Sequence, residues 1–299
     1  DEVCDAEAAV GTGGADGSTV LGALLPGEER AAASEAARGG LADGAGLADL
    51  SHEVGGGGLA DGSEELRAAL GTWRRHGVAV FPSLVDGDAL KTLAAAVEEA
   101  AAGDGTLDYT AVTRHSKHRV HKSLPVGAAE AALSQIASRL RPFLATALGA
   151  DALSLMESGF MVTSPGAEGQ QFHRDVAPAL VSCSSLTASI QISLVDTDAT
   201  QGALEVIPGS HAFDPSVSDR ARADDPAVAK VPVAVPKGTV TVYALHTMHR
   251  GSSNTHTAKR PFFFFTLKGR GLAPPGLAYT IEADDIGAWS IVDGALARQ

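Results

Sequence analysis

The sequence predicts an α+β chain with a mainly β core, in which helices come first and strands follow. Amphipathic, capped helix patterns crowd into residues 63–149, and short β-branched and aromatic runs follow from residue 150, separated by Gly, Pro, Asp and Ser turns. With 299 residues, 44% of them hydrophobic, the chain can bury a sizeable core.

Residues 1–62 are dominated by Gly, Ala, Asp, Glu and Ser, with GGLADG at 39–44 and again at 57–62. Such a composition buries little and loses much backbone entropy on ordering. It reads as a flexible low-complexity leader with one Ala-rich helix near 27–38, and residues 63–299 read as a single domain. In SEELRAALGTWRRHG, starting at Ser63, Leu66, Leu70 and Trp73 share one helical face and Gly77 suits a left-handed cap. VAVF at 78–81 is a strand stopped by Pro82, and DGDALKTLAAAVEEAAAG at 86–103 opens on Asp caps and continues in strong helix formers. A third helix at 127–149 aligns Leu133, Ile136, Leu140 and Leu144, with Pro142 expected to kink or divide it. The β-like runs are LSLMESGFMVTS at 153–164, SLTASIQISLVD at 185–196, ALEVIPGS at 203–210, VPVAVPKGTVTVYAL at 231–245 and PFFFFTLKG at 261–269. Short strands in succession suggest a sandwich or barrel. The polar stretch 214–230 reads as a surface excursion or lid.

A formal charge of -13 lacks the clustered Lys and Arg excess of a nucleic-acid footprint. Cys4 and Cys183 lie far apart, so no disulfide framework or Cys-based zinc site is legible. A reducing compartment, cytoplasm or organellar lumen, fits. No apolar run approaches the roughly 18–20 residues that span a bilayer. Nothing in the sequence sets an oligomeric state.

Chemistry concentrates in QFHRD at 171–175 and LHTMHRG at 245–251. In extended chain, residues i and i+2 project to one side, so His173 and Asp175 can face one ion while Arg174 points away. His249, 74 positions after Asp175, is far enough along for several strands to bring it back beside them. Two His and one carboxylate, leaving positions open, suit non-haem Fe(II) that activates oxygen. HExxH, the common zinc-hydrolase pattern, is absent. HxD alone is a weak signal in a chain with ten His. HRD also opens a kinase catalytic loop, but Leu180 stands where that loop needs Asn, and no Gly-rich loop or DFG accompanies it. Arg260, beside PFFFF, offers a fork suited to a carboxylate; a surface Arg at a polar turn fits the same residues equally well.

QFHRD, then QGALEVIPGSH at 201–211, then KGTVTVYALHTMHRGSSNT at 237–255 and Arg260, in that order, resemble the phytanoyl-CoA dioxygenase family of Fe(II)- and 2-oxoglutarate-dependent oxygenases. RRHGVAVFPSLVDGDALKTLAAAV resembles that family's opening helix, strand and helix, so the likeness spans about residues 63–270. It implies a double-stranded β-helix, a cupin-like jelly roll flanked by the N-terminal helices. It also implies Fe(II), 2-oxoglutarate and O2 as cofactor and co-substrates, succinate and CO2 as co-products, and hydroxylation of a small or acyl-type substrate. By position, His173, Asp175 and His249 match the iron ligands, and Arg260 matches the residue that grips the distal carboxylate of 2-oxoglutarate. Gln191 matches a co-substrate-pocket position. Arg119 matches a second basic residue, and Ser252 stands near a hydroxyl position that assists Arg260, although Gly251 occupies the closer place. Asp175, where related halogenases carry Gly or Ala, favours hydroxylation.

The HRG triplet favours His249 over His246 as ligand, His211 in PGSH reads as part of a structural turn with Gly209, and His52, His76 and His256 read as surface residues. TRHSKHRVHK at 113–122 focuses positive charge that could attract an anionic substrate; a solvated strand lending one residue to the pocket is the simpler reading. A metal-binding jelly roll of other or no catalytic activity is the competing function, and the pairing of a full triad with Arg260 speaks against it.

Overall fold

The computed structural model describes residues 46–102, 118–176, 186–212, 217–274 and 280–299. The Ala-rich helix expected at 27–38 lies outside them. The described residues before 63 are already structured, however. A short helix α1 (Leu47–Leu50) buries Leu50 completely, and Ser51 bridges Val80. In the second GGLADG copy, the Leu59 N–H donates to the Arg139 carbonyl at 2.8 Å and the side chain is buried. Gly58, at φ 81°, makes that approach: a Cβ there would stand 2.7 Å from the Arg139 Cα.

The helical part follows the sequence reading. Helix α2 (Glu64–His76) starts at Ser63, whose hydroxyl accepts from the Leu66 N–H, and stops at Gly77 in the left-handed conformation. Strand β1 (Val78–Phe81) is fully buried, and helix α3 (Gly87–Ala102) follows. After β2 (Arg119–Ser123), the third expected helix is divided at Pro142 into α4 (Val126–Arg139) and α5 (Arg141–Leu148), the proline sitting in the first turn of the second piece, where its missing N–H is harmless. Phe81 and Phe143 meet edge-on at 5.1 Å at the centre of the helix–sheet core.

The β part contains β3 (Ala152–Thr163), β4 (Thr187–Ser193), β5 (Leu204–Val206), β6 (Val231–Val233), β7 (Val240–Ala244), β8 (His249–Gly251) and β9 (Arg260–Lys268). The excursion 214–230 includes α6 (Asp219–Asp224). A C-terminal hairpin, β10 (Trp289–Val292) and β11 (Ala295–Arg298), turns at Asp293 and Gly294, both with φ > 0. The large sheet runs β1-β7-β4-β9-β3-β10-β11, with β2 also on β3; the small one runs β6-β5-β8. All strand pairs are antiparallel. The two sheets form the jelly roll.

Period-two alternation divides the faces of the large sheet. Phe160, Val162, Ile190, Ile192, Phe263 and Phe265 pack under the helices. The opposite positions, among them Met161, Thr163, Gln191, Phe262 and Phe264, line a cavity between the sheets. Among the described residues no helix is long and apolar enough to cross a membrane.

Candidate metal and co-substrate site

His173 and His249 form an isolated antiparallel bridge: the His173 N–H donates to the His249 carbonyl at 3.0 Å, and the His249 N–H to the His173 carbonyl at 2.9 Å. Directly opposed residues in such a pair present their side chains on one face, and the two rings lie 4.5 Å apart. Two positions on, the Asp175 N–H donates to the Leu245 carbonyl at 2.9 Å, so the same returning segment fixes the third residue. Asp175 Oδ1 is 3.7 Å from His173 Nε2 and 3.6 Å from His249 Nε2. The three donor atoms lie within 4.8 Å of one another.

Each imidazole faces a carbonyl with its other nitrogen: His173 Nδ1 donates to Gln171 O and His249 Nδ1 to Thr247 O, both at 2.9 Å. Since a carbonyl only accepts, Nδ1 carries the proton and the Nε2 lone pairs point at the shared centre, as metal ligation requires. Burial holds His249 below the usual imidazole value, which keeps it neutral. Arg174 turns away: its Nε and Nη2 pair with both oxygens of Asp219 at 2.8 Å, and Nη1 donates to Ser210 O and His246 O.

Arg260 and Arg119 lie across Thr163, on neighbouring strands of one rung of the large sheet. Both are buried. Arg260 Nη1 donates to Gly202 O at 3.0 Å, and its guanidinium stands 4.4 Å over the Phe262 ring. Arg119 Nη2 donates to Glu168 O at 2.7 Å and Ser252 O at 2.9 Å. Arg260 Nε and Arg119 Nε and Nη1 have no hydrogen-bond partner, and neither guanidinium has a carboxylate within ion-pair distance, among the described residues. Burial, joined for Arg260 by repulsion from Arg119, lowers Arg260 to about 9 and Arg119 to about 10. Two buried cations with unsatisfied donors call for an anion between them.

The remaining expected residues divide. Gln191 lines the cavity and donates to Tyr243 Oη at 3.2 Å. Ser252 is not among the cavity-lining residues: its hydroxyl donates to Ala203 O at 2.7 Å, and its carbonyl serves Arg119 instead. Gly251 is what lets Arg119 in, since a Cβ there would stand 2.8 Å from both Arg119 Nη1 and Gln170 Oε1. His246 stays outside the donor cluster, its ring 6.1 Å from that of His211, whose Nε2 bonds the Arg74 carbonyl. His256 is exposed as expected. His76 is buried, against expectation, because its carbonyl accepts the Gly209 N–H and docks the PGSH turn onto the helix end; His52 is half-buried beside Phe81. Of the basic stretch at 113–122, the part up to residue 117 lies outside the described residues. Arg119 and His121 face the cavity, while Lys122, on the other face of β2, donates to Ala100 O.

Sequence reasoning missed Glu157, Tyr243, Phe262, Phe264 and His121 as cavity residues. The signal was available in the alternation of ESGFMVT and PFFFF, once the face carrying Arg260 is taken as the inner one. The His–Asp–His donor set fits Fe(II), and the paired guanidiniums fit the carboxylate of 2-oxoglutarate.

Solved structures resemble this fold. The epimerase SnoN in complex with Fe3+, alpha ketoglutarate and nogalamycin RO superposes with a TM-score of 0.56 at 17% identity, covering 68% of this chain and 83% of that one. The non-heme alpha ketoglutarate dependent carbocyclase SnoK from nogalamycin biosynthesis gives 0.56 at 21%, covering 73% and 95%. HygX from Streptomyces hygroscopicus, with nickel, 2-oxoglutarate and hygromycin B bound, gives 0.53 at 15%, covering 71% and 89%. No curated protein sequence matches the chain. The family pattern of phytanoyl-CoA dioxygenase matches residues 73–262, a span that runs from the end of α2 through both histidine segments to Arg260, and the chain belongs to that family.

Proposed function

We propose that this chain is an Fe(II)- and 2-oxoglutarate-dependent hydroxylase of a small organic substrate. The observation that carries the reading is one cavity holding both a His–Asp–His set with its Nε2 lone pairs turned inward and two buried guanidiniums without an acidic partner among the described residues. His173, Asp175 and His249 hold the metal. Arg260 takes the distal carboxylate of 2-oxoglutarate, with Arg119 adding charge from the adjacent strand and Gln191 lining the wall. When bound, Fe(II) with 2-oxoglutarate and O2 supplies the oxidation, in which 2-oxoglutarate becomes succinate and CO2 and a substrate C–H becomes C–OH. The protein contributes placement: the carbonyls of Gln171 and Thr247 fix both imidazole tautomers, and Phe262, Phe264 and Met161 keep the chamber apolar where the oxidation occurs. SnoN is an epimerase and SnoK a carbocyclase, so the same fold serves other outcomes. Hydroxylation is supported here by the carboxylate of Asp175.

Succinate formation from 2-oxoglutarate, with 18O from O2 sought in the product, tests the reading. Asp175→Ala is expected to bind less than a tenth of the wild-type iron and to lower succinate formation at least about 100-fold. Succinate at the parental rate would refute the assignment.

A further inference from the structure

The cavity is electrically polarised. Arg119, Thr163 and Arg260 occupy one rung of the large sheet. Six residues back along β3, roughly 20 Å at about 3.3 Å per residue, Glu157 shares a rung with Thr266, Ser189 and Tyr243. Glu157 lines the same cavity as His173, Asp175 and His249 and feels the charge of Asp175, so the carboxylate looks into the metal's half of the chamber. The register from Thr163 back to Glu157 is unbroken, so Glu157 faces the cavity on the same side as Met161 and Thr163, and the β-bulge between Leu155 and Glu157 lies just beyond it.

Glu157 is 9% exposed. It accepts from the Thr266 hydroxyl at 2.6 Å and from the Thr280 N–H at 3.4 Å. Two bonds leave about half of a carboxylate's acceptor capacity unused. Among the described residues no Lys or Arg pairs with it. Arg174, the remaining cation on the cavity wall, is neutralised by Asp219. His121 reaches toward the Thr280 hydroxyl at 3.4 Å, and burial lowers it to about 4, so it brings no charge. Burial, the largest cause, raises Glu157 to about 7. Phe264, whose ring packs over Gly159 two residues along the same face, adds an aromatic face beside it.

Resting on the 2-oxoglutarate reading, we infer that Glu157 is the substrate-specificity residue, and that the substrate carries a basic amino group, bound as ammonium against this carboxylate and the adjoining aromatic face. The guanidinium end is taken by the co-substrate, and the end left for substrate attracts a cation, the reverse of what the charge of residues 113–122 suggests. A structural carboxylate serving only to tie Thr266 to Thr280 is the rival explanation.

The test uses anaerobic protein loaded with Fe(II) and 2-oxoglutarate and three probes matched in chain: n-hexylamine, N-hexylacetamide and hexanoate, titrated calorimetrically and repeated on metal-free protein. Hexylammonium is expected to bind at least tenfold more tightly than either other probe, and Glu157→Gln, which keeps an acceptor for the Thr266 hydroxyl, is expected to erase that preference while leaving N-hexylacetamide within about twofold. Equal, weaker or absent binding of hexylammonium by the wild type overturns the inference, as does a preference that survives in E157Q. Iron stoichiometry and succinate formation by the wild type, measured separately, decide the co-substrate reading, so the two can fail independently.

Discussion

Replacing Arg260 by Met is expected to make the cofactor-free protein more heat-stable while weakening its hold on 2-oxoglutarate. The guanidinium is 5% exposed and lowered to about 9. A fall of that size corresponds to about 5 kcal/mol of unfavourable surroundings for the charge. Its favourable contacts offset part of this: the Gly202 carbonyl bond contributes about 1.5–3 kcal/mol, and the Phe262 ring about 1 kcal/mol. The balance favours Met by about 1–2.5 kcal/mol, a rise in Tm of about 2–10 °C for a domain of this size. The bound state reverses the sign, since losing a forked, charge-assisted grip on a carboxylate costs about 3 kcal/mol or more, at least about 100-fold in Kd. Differential scanning fluorimetry without cofactors and anaerobic calorimetry with 2-oxoglutarate read the two halves. A Tm lowered by several degrees, with 2-oxoglutarate affinity within threefold of wild type, would show Arg260 to be a structural residue and sink the argument.

Gly251→Ala forces a Cβ to 2.8 Å from Arg119 Nη1 and Gln170 Oε1, so the KM for 2-oxoglutarate is expected to rise several-fold with iron stoichiometry retained; an unchanged KM would separate Arg119 from the co-substrate. His246→Ala is expected to keep full iron occupancy and lose about 1–3 kcal/mol in chemical denaturation, whereas iron occupancy below half would move the ligand assignment to that residue. Metal-free protein is expected to be acid-labile. Burial lowers His211 to about 4 and His246 to about 3, so between those values and about 6.5 the unfolded chain binds more protons than the folded one. Stability therefore falls as pH drops through that window, by up to about 1.4 kcal/mol per pH unit for each imidazole, and denaturant titrations at pH 7, 5.5 and 4.5 that coincide would contradict it.

Much of this molecule is readable because its local signals agree. Ser63 and Gly77 bound a helix, Pro142 divides one, and the continuous apolar run VAVF is a fully buried strand. The metal cluster was legible as a pattern in order, since HxD and HRG each mean little until GALEVIPGSH stands between them. Other features depend on contacts that no local window contains. Leu50 and Leu59 sit in a glycine-rich stretch whose composition predicts a leader, and their burial depends on partners at Val80 and Arg139. Alternation in ESGFMVT puts Glu157 on the inner face, but its bonds from Thr266 and Thr280 come from residues more than 100 positions away. The buried end of α2 at His76 depends on a turn more than 130 positions away. The hairpin at Asp293 and Gly294 carried a recognisable two-residue turn signal that sequence reasoning passed over.

The bridge between His173 and His249 has one more bearing on the protein. Residues 170–176 and 245–251 are sewn together by main-chain bonds from Gln170 to Gly251 and from Asp175 and Val176 to Leu245, besides the histidine pair itself. The candidate donor atoms therefore hang on a closed seam, and no described residue of the stretch between its two edges joins the donor cluster. The seam's main-chain bonds, with Gln170 Oε1 accepting from the Gly251 N–H and Arg174 donating to His246 O, use none of the three candidate ligand side chains, so a chelator is expected to strip the metal from a protein that remains folded and ready to be reloaded.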